Sequence, residues 1–376
     1  MNNNQYDIIF TGGGASCRIL LYFLSKKDYF NKLNILIIEA ENTINDKTWC
    51  YWENGDIPFE FIHAKEWSGL QFEAEHFCSN QSIAPFTYAC IHGADFNNYF
   101  SKQFFPAHPN ICLIAGQVKA ITQSDRAYLA LTETAQYSTG TIFNSIPALA
   151  FSVPKSLMWQ HFEGWFIKVK QPLFNDKSAV FMDFKDYTDG PFGFLYVLPF
   201  SGHNALVEYA FYSSEIFQSA VYEERIRQYL EKQGINDYTI ERKERGKIPL
   251  YKENLLQSQQ SGIIHIGSAG GLIKPSTGYA FNRMVEDSRM IAASFGTPNI
   301  ARRKRSKRFL FYDRLLLRII QEDPACAVNI FKQLFRQQSM HRILTFLNED
   351  SNLLHELSIF WRLPWWPFLQ RIKLFQ

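Results

Sequence analysis

Tyr6-Asp7-Ile8-Ile9-Phe10-Thr11-Gly12-Gly13-Gly14 stands near the start of the sequence. An apolar-rich segment of helical length, residues 15–24, follows it, and then a second apolar run, Leu33-Asn34-Ile35-Leu36-Ile37-Ile38, closed by Glu39 and Ala40. A strand, a glycine turn, a helix and a second strand make a βαβ unit. Glycines let the backbone approach a pyrophosphate closely, and the N–H groups of Ala15 and Ser16 open a helix end that favours negative charge. An acid at the end of the second strand can accept hydrogen bonds from ribose hydroxyls, and Glu39 stands there. Cys17 occupies the third glycine position of G-x-G-x-x-G, and its small side chain is compatible with close helix–strand packing.

The pattern therefore points to a dinucleotide, with Gly12, Gly13, Gly14, Ala15, Ser16, Glu39 and Ala40 as candidate contacts. Its position at the N-terminus of a long chain favours FAD over NAD. A chain of 376 residues suggests about two domains. Charged residues at 20% and hydrophobic residues at 46% describe a globular protein. A net charge of +3 does not by itself imply a nucleic-acid partner, and none is expected. The six cysteines show neither a CxxC pair nor metal-ligand spacing, so reduced thiols and no metal site are expected. No apolar stretch reaches the length of a membrane span, and no signal peptide is visible. The 34 Phe, 18 Tyr and 8 Trp fit either an aromatic-rich core or a tunnel for a bulky apolar ligand.

Polar residues Asn45-Asp46-Lys47-Thr48 lead into Trp49-Cys50-Tyr51-Trp52, which reads as a loop beside or over the cofactor. Residues 94–105 have helical spacing, and residues 111–114, 117–121 and 127–131 suggest a small sheet. Residues 141–145 would return the chain towards the cofactor. Strand candidates at 164–169, 179–184, 192–199 and 205–212, separated by turn signals, suggest an inserted antiparallel sheet. A helix is expected over 214–232, with Ile216, Ala220, Ile226 and Leu230 inward, and strands near 238–242 and 246–249 lead back. The strand ending at Gly267 precedes Ser268-Ala269-Gly270-Gly271, where many flavoproteins carry an Asp. Pro275-Ser276-Thr277-Gly278-Tyr279 is then expected to open a helix running to about Ser294, its N-terminus aimed at the flavin.

The last third of the chain reads as helical. Arg302-Arg303-Lys304-Arg305-Ser306-Lys307-Arg308 has six basic residues in seven, and the chain ends in Phe360-Trp361-Arg362-Leu363-Pro364-Trp365-Trp366 and onwards. Basic residues beside exposed aromatics suit a segment lying on an anionic bilayer. Each could equally be a solvated helix start or a core-packed tail.

Glu208 in Ala205-Leu206-Val207-Glu208-Tyr209 is a lone carboxylate inside a strand. It either points to solvent by alternation or into an apolar cavity, where burial would make it a proton donor at neutral pH.

These stretches together, Tyr6 to Gly14, Asp46-Lys47-Thr48-Trp49, residues 194–201, residues 206–210, residues 267–281 and Arg308-Phe309-Leu310-Phe311-Tyr312-Asp313-Arg314, resemble the lycopene cyclase family over nearly the whole chain. The family has a Phe-Leu-Glu-Glu-Thr or Ile-Glu-Asp-Thr element whose first acid is essential. Glu208 takes that place here, while Tyr209 and Ala210 stand for the second acid and the Thr. The resemblance implies an α/β fold with an FAD-binding Rossmann-like domain of the glutathione-reductase/hydroxylase type over residues 1–150 and 245–300. An antiparallel β substrate domain over 151–244 and a helical, membrane-associating region over 301–376 would complete it. It further implies a lycopene β-cyclase, peripheral on the cytoplasmic face of the cell membrane. Lycopene or another acyclic carotenoid would be the substrate, reduced FAD the cofactor and NAD(P)H the electron source. Glu208 would then be catalytic, and Gly267, Pro275, Thr277, Gly278 and Tyr279 would contact the flavin. An FAD monooxygenase or polyprenyl reductase of the same fold, or a non-catalytic flavin or carotenoid carrier, are the competing readings.

Overall fold

Ile8, Ile9, Phe10, Ile35, Leu36, Ile37 and Ile38 are all shielded from water. Strands buried on both faces read as continuous apolar runs, which is why these segments lack alternation. In the computed structural model, which describes residues 4–40, 47–124, 127–152, 157–251 and 262–372, they form the centre of a seven-stranded sheet. The strand Gln5–Thr11 lies parallel to Ile35–Glu39 on one side and to Gln136–Asn144 on the other. The far end of Gln136–Asn144 continues parallel to Ile263–His265, which brings the Gly267 turn beside the glycine loop. The helix Ala15–Leu24 packs Cys17, Ile19, Leu20, Leu21 and Leu24 into this core, so Cys17 serves the close packing expected of the third glycine.

The expected small sheet at 111–131 does not form by itself. Ile111–Ala115 joins the parallel sheet outside Ile35–Glu39, and Ala120–Ser124 with Ala127–Leu131 extends its other edge antiparallel. The aromatic stretch after Lys47 is a strand, Thr48–Glu53, rather than a loop, although residues 45 and 46 lie outside the described residues. It pairs with Thr87–His92, which also pairs with Lys65–Trp67. Aromatic residues favour a pleated, half-buried surface, and Tyr51 stacks on Phe281 at 4.5 Å from this strand.

The second large sheet runs Tyr238–Leu250, Met158–Val169, Asn204–Ser213, Phe192–Pro199, Ser178–Asp183, Gly69–Ala74, Phe77–Ser82. Its pairings are antiparallel except that Ser178–Asp183 runs parallel to Gly69–Ala74. Residues far upstream of 151 thus complete it, and the two strands expected near 238–249 are one. Both faces are covered. Val207, Tyr209 and Phe211 pack with Tyr222, Ile226 and Leu230 of the helix Ser219–Lys232. Leu206, Ala210 and Tyr212 face a cluster that includes Ile320, Ile330 and Phe335 of the C-terminal helices. That helix starts at Ser219 rather than 214, so Ile216 and Ala220 are exposed rather than inward.

Helices Lys307–Glu322, Pro324–Gln337, Met340–Leu347, Leu353–Phe360 and Trp365–Ile372 close the chain. The basic run before them does not form a free cationic face. Arg302 grips Asp287 with Nη2 to Oδ2 at 2.7 Å, Arg303 reaches Glu286 and Glu349, and Arg305 reaches Asp313 and Glu349. Arg308 donates to Glu356 at 3.0 Å. Lys274 joins the same network at 2.9 Å from Asp313 and 3.2 Å from Glu349. These pairs fasten the helical region to the turn that follows Gly267. Glu349 sits at φ 68°, a left-handed conformation that a side chain disfavours, and its ion pairs offset that strain.

Burial opposes the charge on Glu349, but Lys274, Arg283 and Arg305 outweigh it and hold the carboxyl far below the usual range. Its contribution to stability is therefore complete above the ordinary carboxylate range and is lost as pH falls through and below it. Glu349→Gln leaves four buried cations, Lys274, Arg283, Arg303 and Arg305, short of a counter-charge and should cost about 3–5 kcal/mol, read as a lowered thermal midpoint at neutral pH. An unchanged midpoint would mean that the network does not fasten the helical region.

Candidate active site

A cavity of about 690 Å³ lies between the two large sheets and the C-terminal helices. One end is lined by Gly14, Ala15, Ser16, Ser145, Gly267 and Ser268. There the first turn of Ala15–Leu24 carries no side-chain cap, and its N-cap Gly14 has nothing within 4 Å of where a Cβ would be. The backbone N–H groups of that turn thus face open space. Gly12 takes φ 92°, and a Cβ there would collide with Ser145 Oγ, so only glycine lets the two loops meet. Gly13 N–H donates to Glu39, whose carboxylate thereby braces the loop. Arg18, which sequence reasoning missed, donates to Gly13 O at 2.9 Å and to Asn97. Ala40 is exposed and does not line the cavity.

The far wall of this end is the segment Lys274 to Tyr279. It is a tight turn, not the first turn of a helix: Gly278 N–H donates to Lys274 O at 2.8 Å and Lys274 N–H to Tyr279 O at 2.9 Å. Gly278 takes φ 74°, which interrupts helical geometry, and the helix begins at Phe281. Thr277, Gly278 and Tyr279 line the cavity, whereas Pro275 lies buried behind them. Thr277 Oγ1 and Gln160 Oε1 are buried without a hydrogen-bond partner, and both residues line the cavity. Unpaired buried polar atoms are costly, so a polar ligand at this end would relieve them. Open N–H groups, glycine approaches and these orphaned atoms fit a dinucleotide.

The middle of the cavity holds the acid. Strand pairing places Tyr196, Glu208, Gly164 and Glu244 in one row across four adjacent strands. Residues directly opposite in a sheet point to the same face. Glu208 therefore faces the cavity with Leu206 and Ala210, while Tyr209 turns to the helix-covered face. The residue standing in the family's second-acid position lies behind the sheet, and its identity takes nothing from the site. A second carboxyl comes instead from Glu244, which sequence reasoning missed. Its Oε2 accepts from Thr48 N–H at 3.2 Å and from Thr48 Oγ1 at 2.8 Å. Burial first, and then the neighbouring Glu244 and Cys50, push the Glu208 carboxyl well above its usual range. A carboxyl kept neutral in a dry site can donate a proton.

Aromatic faces surround this acid. Phe162, Phe181, Phe194 and Tyr212 line the cavity beside it. Tyr279 stacks on Phe181 with centroids at 6.2 Å and meets Trp52 edge-on at 4.8 Å. The Tyr88 hydroxyl links Tyr196 at 2.6 Å and Tyr279 at 2.7 Å. This chain of hydroxyls ties the turn at one end of the cavity to the row that carries Glu208. Beyond it the cavity continues past Leu316, Phe331 and Phe335 to Trp365, Phe368 and Leu369 of the last helix. Among the described residues no cluster of His, Cys, Asp and Glu could hold a metal ion.

Tyr88→Phe removes the middle hydroxyl and its hydrogen bonds to Tyr196 and Tyr279. It should cost about 1–3 kcal/mol in chemical denaturation. No loss of stability would show that the three hydroxyls do not act as one network.

No curated relative matches the chain by sequence. Solved structures share its architecture at low identity, which establishes the fold alone. A geranylgeranyl bacteriochlorophyll reductase-like protein of Thermoplasma acidophilum is 12% identical, covers 98% of this chain and 99% of its own, and superposes with a TM-score of 0.62. A flavoprotein/dehydrogenase of Cytophaga hutchinsonii is 13% identical over 94% of this chain and 98% of its own, with a TM-score of 0.57. The halogenase PltM, solved with phloroglucinol and FAD, is 14% identical over 94% of this chain and 83% of its own, with a TM-score of 0.55. The sequence model of the lycopene cyclase protein family matches residues 7–373. With that match spanning nearly all of the sequence, the chain belongs to the lycopene cyclase family.

Proposed function

We propose that this protein is a lycopene β-cyclase, which closes the acyclic ends of lycopene into β-ionone rings without net oxidation or reduction. The observation that carries this reading is Glu208, a buried carboxyl aimed into an aromatic cavity beside a dinucleotide-shaped cradle. FAD is the proposed cofactor, held by the Gly12–Gly14 loop, the first turn of Ala15–Leu24, the Gly267 turn and Thr277 to Tyr279. In its reduced form, with NAD(P)H as the electron source, it would supply negative charge near the reacting end. Residues 1–150 and 245–300 are assigned to the cofactor and 151–244 to the substrate, with Gly69–Ala74 and Phe77–Ser82 completing the substrate sheet.

The chain's own residues account for the chemistry. Glu208 gives its proton to the terminal carbon–carbon double bond and leaves a tertiary cation. The faces of Phe181, Phe194 and Tyr279 attract that cation, and the apolar walls keep out the water that would quench it. The neighbouring polyene double bond attacks, a ring carbon–carbon bond forms, and loss of a proton from the ring yields an isomer of the starting material. A reductase or hydroxylase of this fold would change the mass of its substrate, and a carrier would leave it unchanged.

The cavity's reach to Trp365, Phe368 and Leu369 bears on how a bilayer-dissolved hydrocarbon enters. The adjoining surface exposes Leu354 at 79%, Trp361 at 89%, Trp365 at 62% and Trp366 at 60%. No described helix is long and apolar enough to cross a membrane. The proposal is that helices Leu353–Phe360 and Trp365–Ile372 lie on the inner face of the cell membrane as a monotopic anchor. Wild-type protein should then sediment with anionic vesicles, and the triple variant Trp361→Ala, Trp365→Ala, Trp366→Ala should stay largely in the supernatant. Equal partitioning of the two would contradict the anchor.

The reaction is tested in cells that accumulate lycopene. The wild type should convert it into products of equal mass bearing β-rings, and Glu208→Gln should leave it acyclic while retaining flavin. Unchanged lycopene in the presence of folded, flavin-loaded wild type would overturn the assignment.

A further inference from the structure

Glu208 and Glu244 are separated by a whole strand, yet they meet. Adjacent strands lie about 4.8 Å apart, so the backbones of these residues stand roughly 10 Å from each other. Gly164 occupies the position between them, opposite Glu208 on one side and Glu244 on the other. A Cβ at Gly164 would come within 2.7 Å of Leu206 Cδ1, 3.1 Å of Glu208 Cβ and 3.4 Å of Glu208 Oε2. The Glu208 carboxyl thus leans over the space that a side chain at residue 164 would fill. From the other side Glu244, also buried, is anchored by the backbone and hydroxyl of Thr48, near enough that its carboxyl strengthens the hold of Glu208 on its proton. Two carboxylates this close, shielded from water, cannot both be charged cheaply, so a proton must lie between them.

We propose that Glu244 is a positioning residue for the acid: it shares one proton with Glu208 across the gap left by Gly164, held in place by Thr48. The inference rests on the cyclase reading and adds the fate of the proton to it. The O–H bond of the pair breaks as a C–H bond forms on the terminal carbon. The pair, now doubly negative, faces the cation. The polyene closes the ring, a ring C–H bond breaks, its electron pair becomes the ring double bond, and the released proton returns to the carboxylates. The pair ends as it began, and no oxidant, reductant or outside base is consumed. Other titratable groups face this site: Cys50 from the strand Thr48–Glu53, Tyr196 from Phe192–Pro199, and Tyr279 from the turn before Phe281. Lys47, Lys247 and Asp313 also line the cavity, but the Lys247 ammonium sits 5.0 Å over the Trp159 ring, and Asp313 is paired with Lys274 and Arg305; Arg242, two residues before Glu244 on the same strand, lies 3.8 Å over the Phe166 ring.

The test compares flavin-loaded wild type with Glu244→Gln, Gly164→Ala and Thr48→Val in two measurements. Initial rates of lycopene cyclisation are followed against pH, and protonated-carboxyl infrared absorption is titrated without substrate. Glu244→Gln removes the like charge, so Glu208 should release its proton at lower pH. The basic limb of the rate profile and the loss of the carboxyl band should both move acidward by about one pH unit or more, a drop of about tenfold at the high-pH side. Gly164→Ala and Thr48→Val should move both in the same direction by less. If the rate profile and the band stay in place in whichever of these variants fold and bind flavin, the shared proton is overturned. If the band moves but no variant, wild type included, cyclises lycopene, the carboxyl pair stands and the cyclase assignment fails.

Discussion

A carboxyl group withheld from water is the constraint on which this architecture depends. An ordinary exposed glutamate is ionised at neutral pH and useless as an acid. Glu208 escapes that fate because both faces of its sheet are covered, one by the helix Ser219–Lys232 and the other by the C-terminal helices. In the proposed reaction the aromatic residues that close over it would have a second use, since a cation developing beside them would meet π-faces and no nucleophile. On the proposed cyclase reading, burial that would be a liability for an idle charge would become the source of the chemistry.

The same logic explains the buried ion network. A helical region that roofs an apolar cavity cannot be held there by the cavity itself, which must stay open for a long hydrocarbon. The clamp is electrostatic and lies at the edge, where Arg302, Arg303, Arg305 and Lys274 meet Asp287, Asp313, Glu286 and Glu349. Ser276 also donates to Asp313 at 2.6 Å, so the clamp fixes the turn that carries Thr277 to Tyr279 as well as the roof. Cradle and substrate cover are in this way one mechanical unit.

Much of this was readable from residue order, and the limits follow from physics. The βαβ unit was legible because buried parallel strands leave unbroken apolar runs, and the motif residues are neighbours in sequence. Glu208 was legible as a candidate, but alternation alone could not say which face was wet, because both turned out to be dry. Glu244 was invisible: it belongs to the charged run Glu241-Arg242-Lys243-Glu244-Arg245, which looks like a solvated edge until strand register sets it across Gly164 from Glu208. Gly164 gave no warning either, because it read as the first residue of a strand at 164–169, and only the observed strand Met158–Val169 sets it in the middle. The run Arg302 to Arg308 looked like a membrane-facing patch because its partners, up to about fifty residues away, cannot be read from local composition. The turn at Gly278 was mistaken for a helix start because a proline and small polar residues serve both purposes, and only its positive φ separates them.

The central claim is that a proton from a buried carboxyl, not a redox step, closes the ring. The most direct measurement is cyclisation by the purified, flavin-loaded protein in heavy water, with the product analysed by mass spectrometry. The account predicts one deuterium in each newly formed ring and otherwise the mass of the starting lycopene, because the carboxyl proton exchanges with solvent between turnovers. A product that gains two hydrogens or an oxygen, or a ring formed without deuterium, would contradict it.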